Sequence, residues 1–207
     1  MKKYDAVIIG FGKGGKTLAG TLAANGKNVA LIEKDADMYG GTCINVGCIP
    51  SKSFVTSAAF SAKLDSSFEE KAKLYRKAVE KKTRLTAALR DKNYHKVADL
   101  ENADVYNGTA SFLDSRHVAV ALQGETLELE ADQIFINTGA RPFVPLIEGL
   151  SDSRRAYISE TILSLEELPK RLVIIGGGYI GMEFASIYTN FGSKVTVIQD
   201  GEVFLPR

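Results

Sequence analysis

Tyr4-Asp5-Ala6-Val7-Ile8-Ile9-Gly10-Phe11-Gly12-Lys13-Gly14-Gly15 lies at the start of the chain and decides its fold class. Tyr4 to Ile9 is a short β-branched run, the pattern of a buried parallel strand. The glycines that follow fall at Gly10, Gly12 and Gly15, the G-x-G-x-x-G spacing. Lys16 to Asn25 reads as a helix with Gly26 as its stop. Asn28 to Ile32 reads as a second strand running straight into Glu33. Each part has a physical purpose in a βαβ unit that holds a dinucleotide. Gly10 permits the tight turn, Gly12 lets the backbone approach a pyrophosphate, and Gly15 lets helix and strand pack closely. The helix start offers free N–H groups and partial positive charge to phosphates. Glu33 would accept hydrogen bonds from ribose hydroxyls. A glycine triplet alone says little; here strand, turn, helix, strand and acid occur in register.

The same unit occurs twice. A shift of 166 positions carries Gly10, Gly12 and Gly15 onto Gly176, Gly178 and Gly181, and Val7-Ile8-Ile9-Gly10 onto an identical Val173-Ile174-Ile175-Gly176. Ala19 falls on Ala185, and Val29 to Ile32 on Val195 to Ile198; Glu33 becomes Gln199. Two unrelated glycine turns would not keep one offset through strand, turn, helix and second strand. The expected fold is α/β, with two Rossmann-like units of the three-layer ββα type, the second incomplete.

Between them, Gly40-Gly41-Thr42-Cys43-Ile44-Asn45-Val46-Gly47-Cys48-Ile49-Pro50-Ser51-Lys52 holds both cysteines. Five helical steps cover about 7.5 Å, beyond the roughly 7 Å Cα limit for a disulfide. A bridge therefore requires the segment to bend, which Gly47 and Pro50 are expected to provide. A short, bent pair suits a reversible redox couple better than a structural staple, whose stabilisation grows with loop length. Three other readings stay open on residues alone. A zinc site would need more ligands, and His95 and His117 have no ligand-like spacing to the thiols. Inert buried thiols are common. A secretory disulfide is disfavoured because one bridge is no scaffold for 207 residues.

Together these segments resemble the class I pyridine nucleotide–disulfide oxidoreductases, which include glutathione reductase, lipoamide dehydrogenase and mercuric reductase. Gly41 to Lys52 matches the family's redox segment throughout. Phe11 to Ala19 looks most like the reactive-chlorine-resistance branch, near mercuric reductase. The resemblance implies that the first unit binds FAD through Gly10, Gly12, Gly14, Gly15, Glu33, Lys34, Gly41, Thr42 and Lys52. Gly108 and Ala110, in a segment like the family's adenine contact, and Thr138 and Gly139, like its Thr-Gly motif, are implied beside it. Cys48 matches the thiol against the flavin and Cys43 the thiol that attacks substrate. Thiolates carry such chemistry, favoured by helix N-termini and nearby cations. Lys52 and Glu183 match residues that pair beside the flavin. Gly176, Gly178, Tyr179, Ile180, Gly181 and Gln199 are implied to hold the pyridine nucleotide, with Tyr179 covering its pocket. Electrons would pass from NADH or NADPH through FAD to the Cys43–Cys48 disulfide, then to a disulfide or soft metal-ion acceptor. Gln199 settles neither nucleotide; with Arg207 the only later arginine, NADH is the leaning.

The rest of the chain fits this scheme. Phe54 to Ala98 lacks glycine and proline and reads as one or two long helices, the dense Lys/Arg of 71–96 forming a solvated face. Val105 to Glu130 suggests antiparallel strands, and Gln133 to Ala140 a returning strand and glycine turn. A net charge of +1 exerts no pull toward nucleic acid or anionic lipid. No run approaches the ~20 apolar residues of a membrane span, and Met1-Lys2-Lys3 leads straight into the first strand, so a cytoplasmic protein with no membrane partner is expected. No resident metal is expected. The domain reading is 1–146 for FAD with the cysteine pair, 147–168 as connector and 169–207 as the start of the pyridine-nucleotide unit. The second unit stops in mid-domain. The family's later flavin motif, its acid–base histidine and its homodimerisation domain have no counterpart here, so the chain reads as an N-terminal part. A non-catalytic flavin-binding fragment that needs a C-terminal half is the alternative.

Overall fold

The computed structural model describes residues 1–202 and 205, so Arg207 lies outside the described residues. The chain divides into two compact units, one made of residues 1–45 and 86–141, the other of 46–85 and 142–207.

In the first unit, β1 (Lys2–Ile9), α1 (Lys13–Ala24) and β2 (Val29–Glu33) form the expected βαβ element. They are joined by α2 (Thr42–Asn45), the end of α4 (Phe68–Ala98), β3 (Ala103–Asn107), β4 (Thr109–Phe112), β5 (His117–Ala121) and β6 (Thr126–Ile136). One six-stranded sheet results, in the order β3-β2-β1-β6-β5-β4. β3, β2, β1 and β6 run parallel, whereas β4, β5 and the first part of β6 form an antiparallel meander. Alternation along β1 and β2 sends side chains to opposite faces. Ala6, Ile8, Val29 and Leu31 pack with Ala19 of α1 and Val97 of α4. Val7, Ala30 and Ile32 face the other way and share a core with Val118, Val120, Leu129 and Ala131 of the meander. The parallel sheet is thus covered on both sides, as its apolar strands require. Where β1 begins, the Tyr4 hydroxyl donates to Asp104, lies 2.5 Å from the Tyr106 hydroxyl, and Lys2 donates to Tyr106 at 2.9 Å.

The second unit holds α3 (Cys48–Ala62), the start of α4, an irregular stretch with a 3₁₀ turn at Ile162–Ser164, then β7 (Arg171–Ile175), α5 (Tyr179–Asn190) and β8 (Lys194–Ile198). β7 and β8 pair in parallel as a two-stranded sheet. Phe54, Tyr75, Ile187, Tyr188 and Phe191 make its core. The Tyr75 and Tyr188 hydroxyls lie 3.0 Å apart, and Tyr75 also donates to the Leu165 carbonyl at 2.8 Å. Burial pushes the Tyr75 phenol up to about 12 and Tyr188 further.

Three expectations are corrected. β3 pairs parallel to β2, not antiparallel, because it follows the long α4 crossover, which returns the chain in the same direction. The break between the cysteines lies at Val46 and Gly47 alone, with Gly47 at φ −129, ψ −116. Pro50 sits inside the first turn of α3, where its missing N–H costs nothing. Finally, the basic stretch of α4 is not wholly solvated, since Lys82 is buried. Among the described residues no helix is long and apolar enough to cross a membrane.

Candidate functional site

The first glycine turn is shaped by its neighbours. Gly10 has φ +109, a conformation that favours glycine. A Cβ at Gly10 would lie 2.3 Å from the Asn137 carbonyl oxygen, and one at Gly15 would lie 2.2 Å from the Gly10 carbonyl oxygen. The Asn137 side chain donates to that same Gly10 carbonyl at 3.1 Å. Gly12 is the N-cap of α1, with no side-chain cap and no acid in the first turn. Its first amides are therefore available to an anion. Glu33, at the end of β2, accepts from the Phe11 N–H at 2.9 Å, and the Gly108 N–H donates to the Glu33 carbonyl at 2.9 Å. Lys34 follows on the exposed surface. Ala110 packs at the margin of the meander core. Thr138 and Gly139 continue from Asn137, whose own N–H donates to Ile9 at 2.8 Å, so they lie past the end of β1.

The segment bearing Cys43 roofs this turn. Gly41 has φ +80, and a Cβ there would lie 2.7 Å from the Gly12 Cα. The Gly40 N–H donates to Phe11 at 3.1 Å. Asn45 holds the segment by donating to Tyr39 and Gly41 carbonyls, both at 3.0 Å, and accepts from Arg90 Nε at 3.0 Å, while Arg90 also pairs with Asp37. Lys16 hydrogen-bonds Asn93. Burial, then the charges of Lys96 and Lys13, hold the Lys16 ammonium below its ordinary value, and charge at Cys43 acts in the opposite sense. Thr42 and Cys43 thus stand in α2, one and two residues from a close backbone approach to the glycine turn.

The second turn reproduces the first. Gly176 has φ +104, Gly178 caps α5 without a side-chain partner, and a Cβ at Gly181 would lie 2.2 Å from the Gly176 carbonyl oxygen. Gln199 accepts from the Gly177 N–H at 2.6 Å, the same bond that Glu33 makes to Phe11. The acid-to-amide change therefore alters charge and keeps the contact. Tyr179 and Ile180 open α5 and are exposed. In this unit Lys52 of α3 forms an ion pair with Glu183 of α5. Lys52 is 68% exposed, so the pair is not a buried one. Cys48 is the first residue of α3 and exposed; Cys43 is half-buried, and the two are not joined by a disulfide. Among the described residues no group of three acidic, histidine or cysteine side chains is placed to hold a metal ion.

Asn137, Lys16, Asn93, Arg90 and Asp37 were given no role in the sequence. Asn45 stood in the redox segment without one, and only its hydrogen bonds show that it holds that segment in place. The others are joined by contacts between residues far apart in the chain.

Residues 4–207 match the pyridine nucleotide-disulphide oxidoreductase family. The chain is 48% identical over 207 residues to the probable pyridine nucleotide-disulfide oxidoreductase RclA of Escherichia coli strain K12, across 100% of this chain and 44% of that protein. It is 36% identical over 202 residues to the mercuric reductase of Streptomyces lividans, across 94% of this chain and 42% of that protein. The solved Cu(II) complex of the HOCl-induced flavoprotein disulfide reductase RclA from Escherichia coli matches with a TM-score of 0.91 at 48% identity, over 100% of this chain and 44% of that one. The chain thus spans less than half the length of these relatives.

Proposed function

Because this chain belongs to the pyridine nucleotide–disulphide oxidoreductase family, we propose that it supplies the N-terminal part of an FAD-dependent reductase, with NADH or NADPH as donor and a disulfide or soft metal ion as acceptor. The observation that carries this reading is the roofing of the first glycine turn by Gly41, which sets the redox segment directly on a phosphate-binding cradle. FAD bound there supplies two-electron transfer between the pyridine nucleotide and the cysteine pair. The chain's own residues bind, orient and relay. Uncapped amides of α1 hold the pyrophosphate, Glu33 the ribose, Gly108 and Ala110 the adenine end, and Thr138 and Gly139 the opposite rim. Lys34 contributes charge at the surface, and Lys52, steadied by Glu183, serves the flavin. Cys48 contacts the flavin side and Cys43 exchanges with substrate, favoured as a nucleophile by neighbouring cations such as Lys16.

Residues 1–146 serve FAD, 147–168 connect, and 169–207 begin the pyridine-nucleotide unit. Gly176, Gly178, Tyr179, Ile180, Gly181 and Gln199 receive that nucleotide. NADH is the leaning: Gln199, which can donate and accept hydrogen bonds, brings no cation of its own to a 2′-phosphate. A cytoplasmic location and a homodimeric working enzyme complete this reading, as the family resemblance implies.

Substitution of the two thiols tests the role assignment. In protein loaded with FAD and reduced, Cys48→Ser abolishes long-wavelength thiolate–flavin absorption, whereas Cys43→Ser leaves or enhances it. The reverse pattern overturns the roles. A second reading is a flavin-binding module without turnover of its own, since the chain spans less than half the length of its relatives. His95 and His117 are hydrogen-bonded to Asp99 and Asp114 at 2.9 and 2.8 Å, and neither matches the family's acid–base histidine. On that reading NADH leaves the flavin band of the isolated chain unbleached; bleaching supports turnover by this chain.

A further inference from the structure

The glycines of the first turn share one neighbour. β6 runs parallel to β1 and ends beside it, with Ile136 opposite Ile9, and the Asn137 side chain then folds across the turn. Its Nδ2 donates to the Gly10 carbonyl. A Cβ built at Gly12, Gly14 or Gly15 would lie 3.1, 2.9 or 2.7 Å from a polar atom of that same side chain. Gly14 is the telling position. It lies outside the G-x-G-x-x-G spacing, and its counterpart in the internal repeat is Ile180, which is 44% exposed. A turn of this kind therefore tolerates a large side chain there. In the first unit, apart from neighbouring atoms of its own helix, only Oδ1 and Cγ of Asn137 come within 4 Å of a Gly14 Cβ. Gly14 is thus small because Asn137 is present, and not because the turn itself requires it.

An asparagine suits the place chemically. Its Nδ2 fixes the Gly10 carbonyl, while the carboxamide brings no charge to the positive end of α1. Among the described residues Oδ1 accepts from none of the first amides of α1, so they remain available to an anion. A carboxylate of the same shape would lose the donor to Gly10. It would also set negative charge against the first turn of α1, in competition with a pyrophosphate. We propose that Asn137 is a positioning residue for the dinucleotide. It fixes Gly10 and packs against Gly12, Gly14 and Gly15, so that the α1 amides face the pyrophosphate, and its neutrality keeps that place open to an anion. The proposal rests on the family reading above and adds a residue that reading does not assign.

The test titrates FAD into the 207-residue chain and follows flavin fluorescence, with thermal melts of the cofactor-free proteins alongside. Asn137→Ala weakens FAD binding by about fivefold, the loss of one hydrogen bond. Asn137→Asp weakens it by about tenfold or more at low salt. The excess over alanine shrinks at about 1 M salt, where charges are screened within roughly 3 Å. Gly14→Ala weakens binding in the parent but not in Asn137→Ala, because truncating the amide vacates the space the new methyl enters. Such non-additivity marks residues in direct contact. Gly20→Ala, in open space on the same helix, leaves FAD affinity unchanged. Unchanged affinity in both Asn137 variants, whatever their melting temperatures, overturns the proposal and makes the side chain a structural latch only. So does an aspartate penalty that salt leaves untouched, or additive effects of Gly14→Ala and Asn137→Ala. Should Asn137→Ala lose its thermal transition, the salt dependence of Asn137→Asp decides alone. A parent that binds no FAD defeats the family reading and this inference with it. Equal FAD binding by the parent and all its variants defeats this inference and leaves that reading standing.

Discussion

Replacing Gly15 by alanine places a methyl group 2.2 Å from the Gly10 carbonyl oxygen and 2.7 Å from the Asn137 side-chain nitrogen. Ordinary contact begins near about 3.5 Å, so α1 must retreat from β1 by roughly an ångström. Overpacking of this kind costs about 1–3 kcal/mol. Displacing Asn137 from Gly10 adds about 1 kcal/mol, and the helix preference of alanine over glycine returns about 1 kcal/mol. The net expectation is destabilisation by about 1–3 kcal/mol. Gly20, five residues on in the same helix, is the matched control. Nothing lies within 4 Å of a Cβ built there, so Gly20→Ala stabilises by about 0.5–1 kcal/mol. Each kcal/mol moves the midpoint by about 2–4 °C at this chain length. Thermal melts followed by far-ultraviolet circular dichroism, without cofactor, should therefore place Gly20→Ala above the parent and Gly15→Ala well below it. A Gly15→Ala midpoint at or above the parent's would show that the close approach of α1 to the turn is not what the glycine serves.

Lys52→Ala breaks the ion pair to Glu183, yet with Lys52 mostly exposed the change in urea-unfolding free energy stays within about 1 kcal/mol; a loss of 3 kcal/mol or more would mean the pair is buried in the working protein. At Asp104, the Tyr4 hydroxyl, with help from Lys2 and Tyr106, holds the carboxyl below the ordinary range against burial. A depressed carboxyl contributes stability that is present above about pH 4 and lost as pH falls through the lowered value. Asp104→Asn is accordingly less stable at neutral pH and loses less on acidification, and superimposable acid limbs in the two proteins would contradict this. Burial raises Tyr75 to about 12, so its contribution is present below about pH 10 and lost as pH rises toward 12. Tyr75→Phe should flatten the alkaline limb, measured by denaturation from pH 9 upward, and an unchanged limb would point to another group.

Much of the fold was legible because its signals are local. The βαβ units follow from β-branched runs, glycine spacing and one constant offset, all within stretches of about thirty residues. The demand for glycine at positions 10, 15 and 181, and the equivalence of Glu33 and Gln199, were readable in the same way. Even the Lys52–Glu183 pair could be anticipated, though only through a family match. Its exposure could not, because exposure depends on what the neighbouring helices leave uncovered.

Tertiary structure decided everything that depends on which distant segments meet. β3 reads like any short strand; its parallel direction comes from the α4 crossover and the partner it finds in β2. Asn137 lies 127 residues from Gly10, and no local pattern announces that its amide latches the turn. Lys82 belongs to a strongly charged helix, yet one face of that helix is buried. The exposed face of Val173, Ile175 and Ile198 has the sequence of a buried one, identical at all three positions to Val7, Ile9 and Ile32. Residue type states which side chains ought to be covered. Only the arrangement of the whole chain determines whether anything covers them, because burial is a property of neighbours and not of the residue itself.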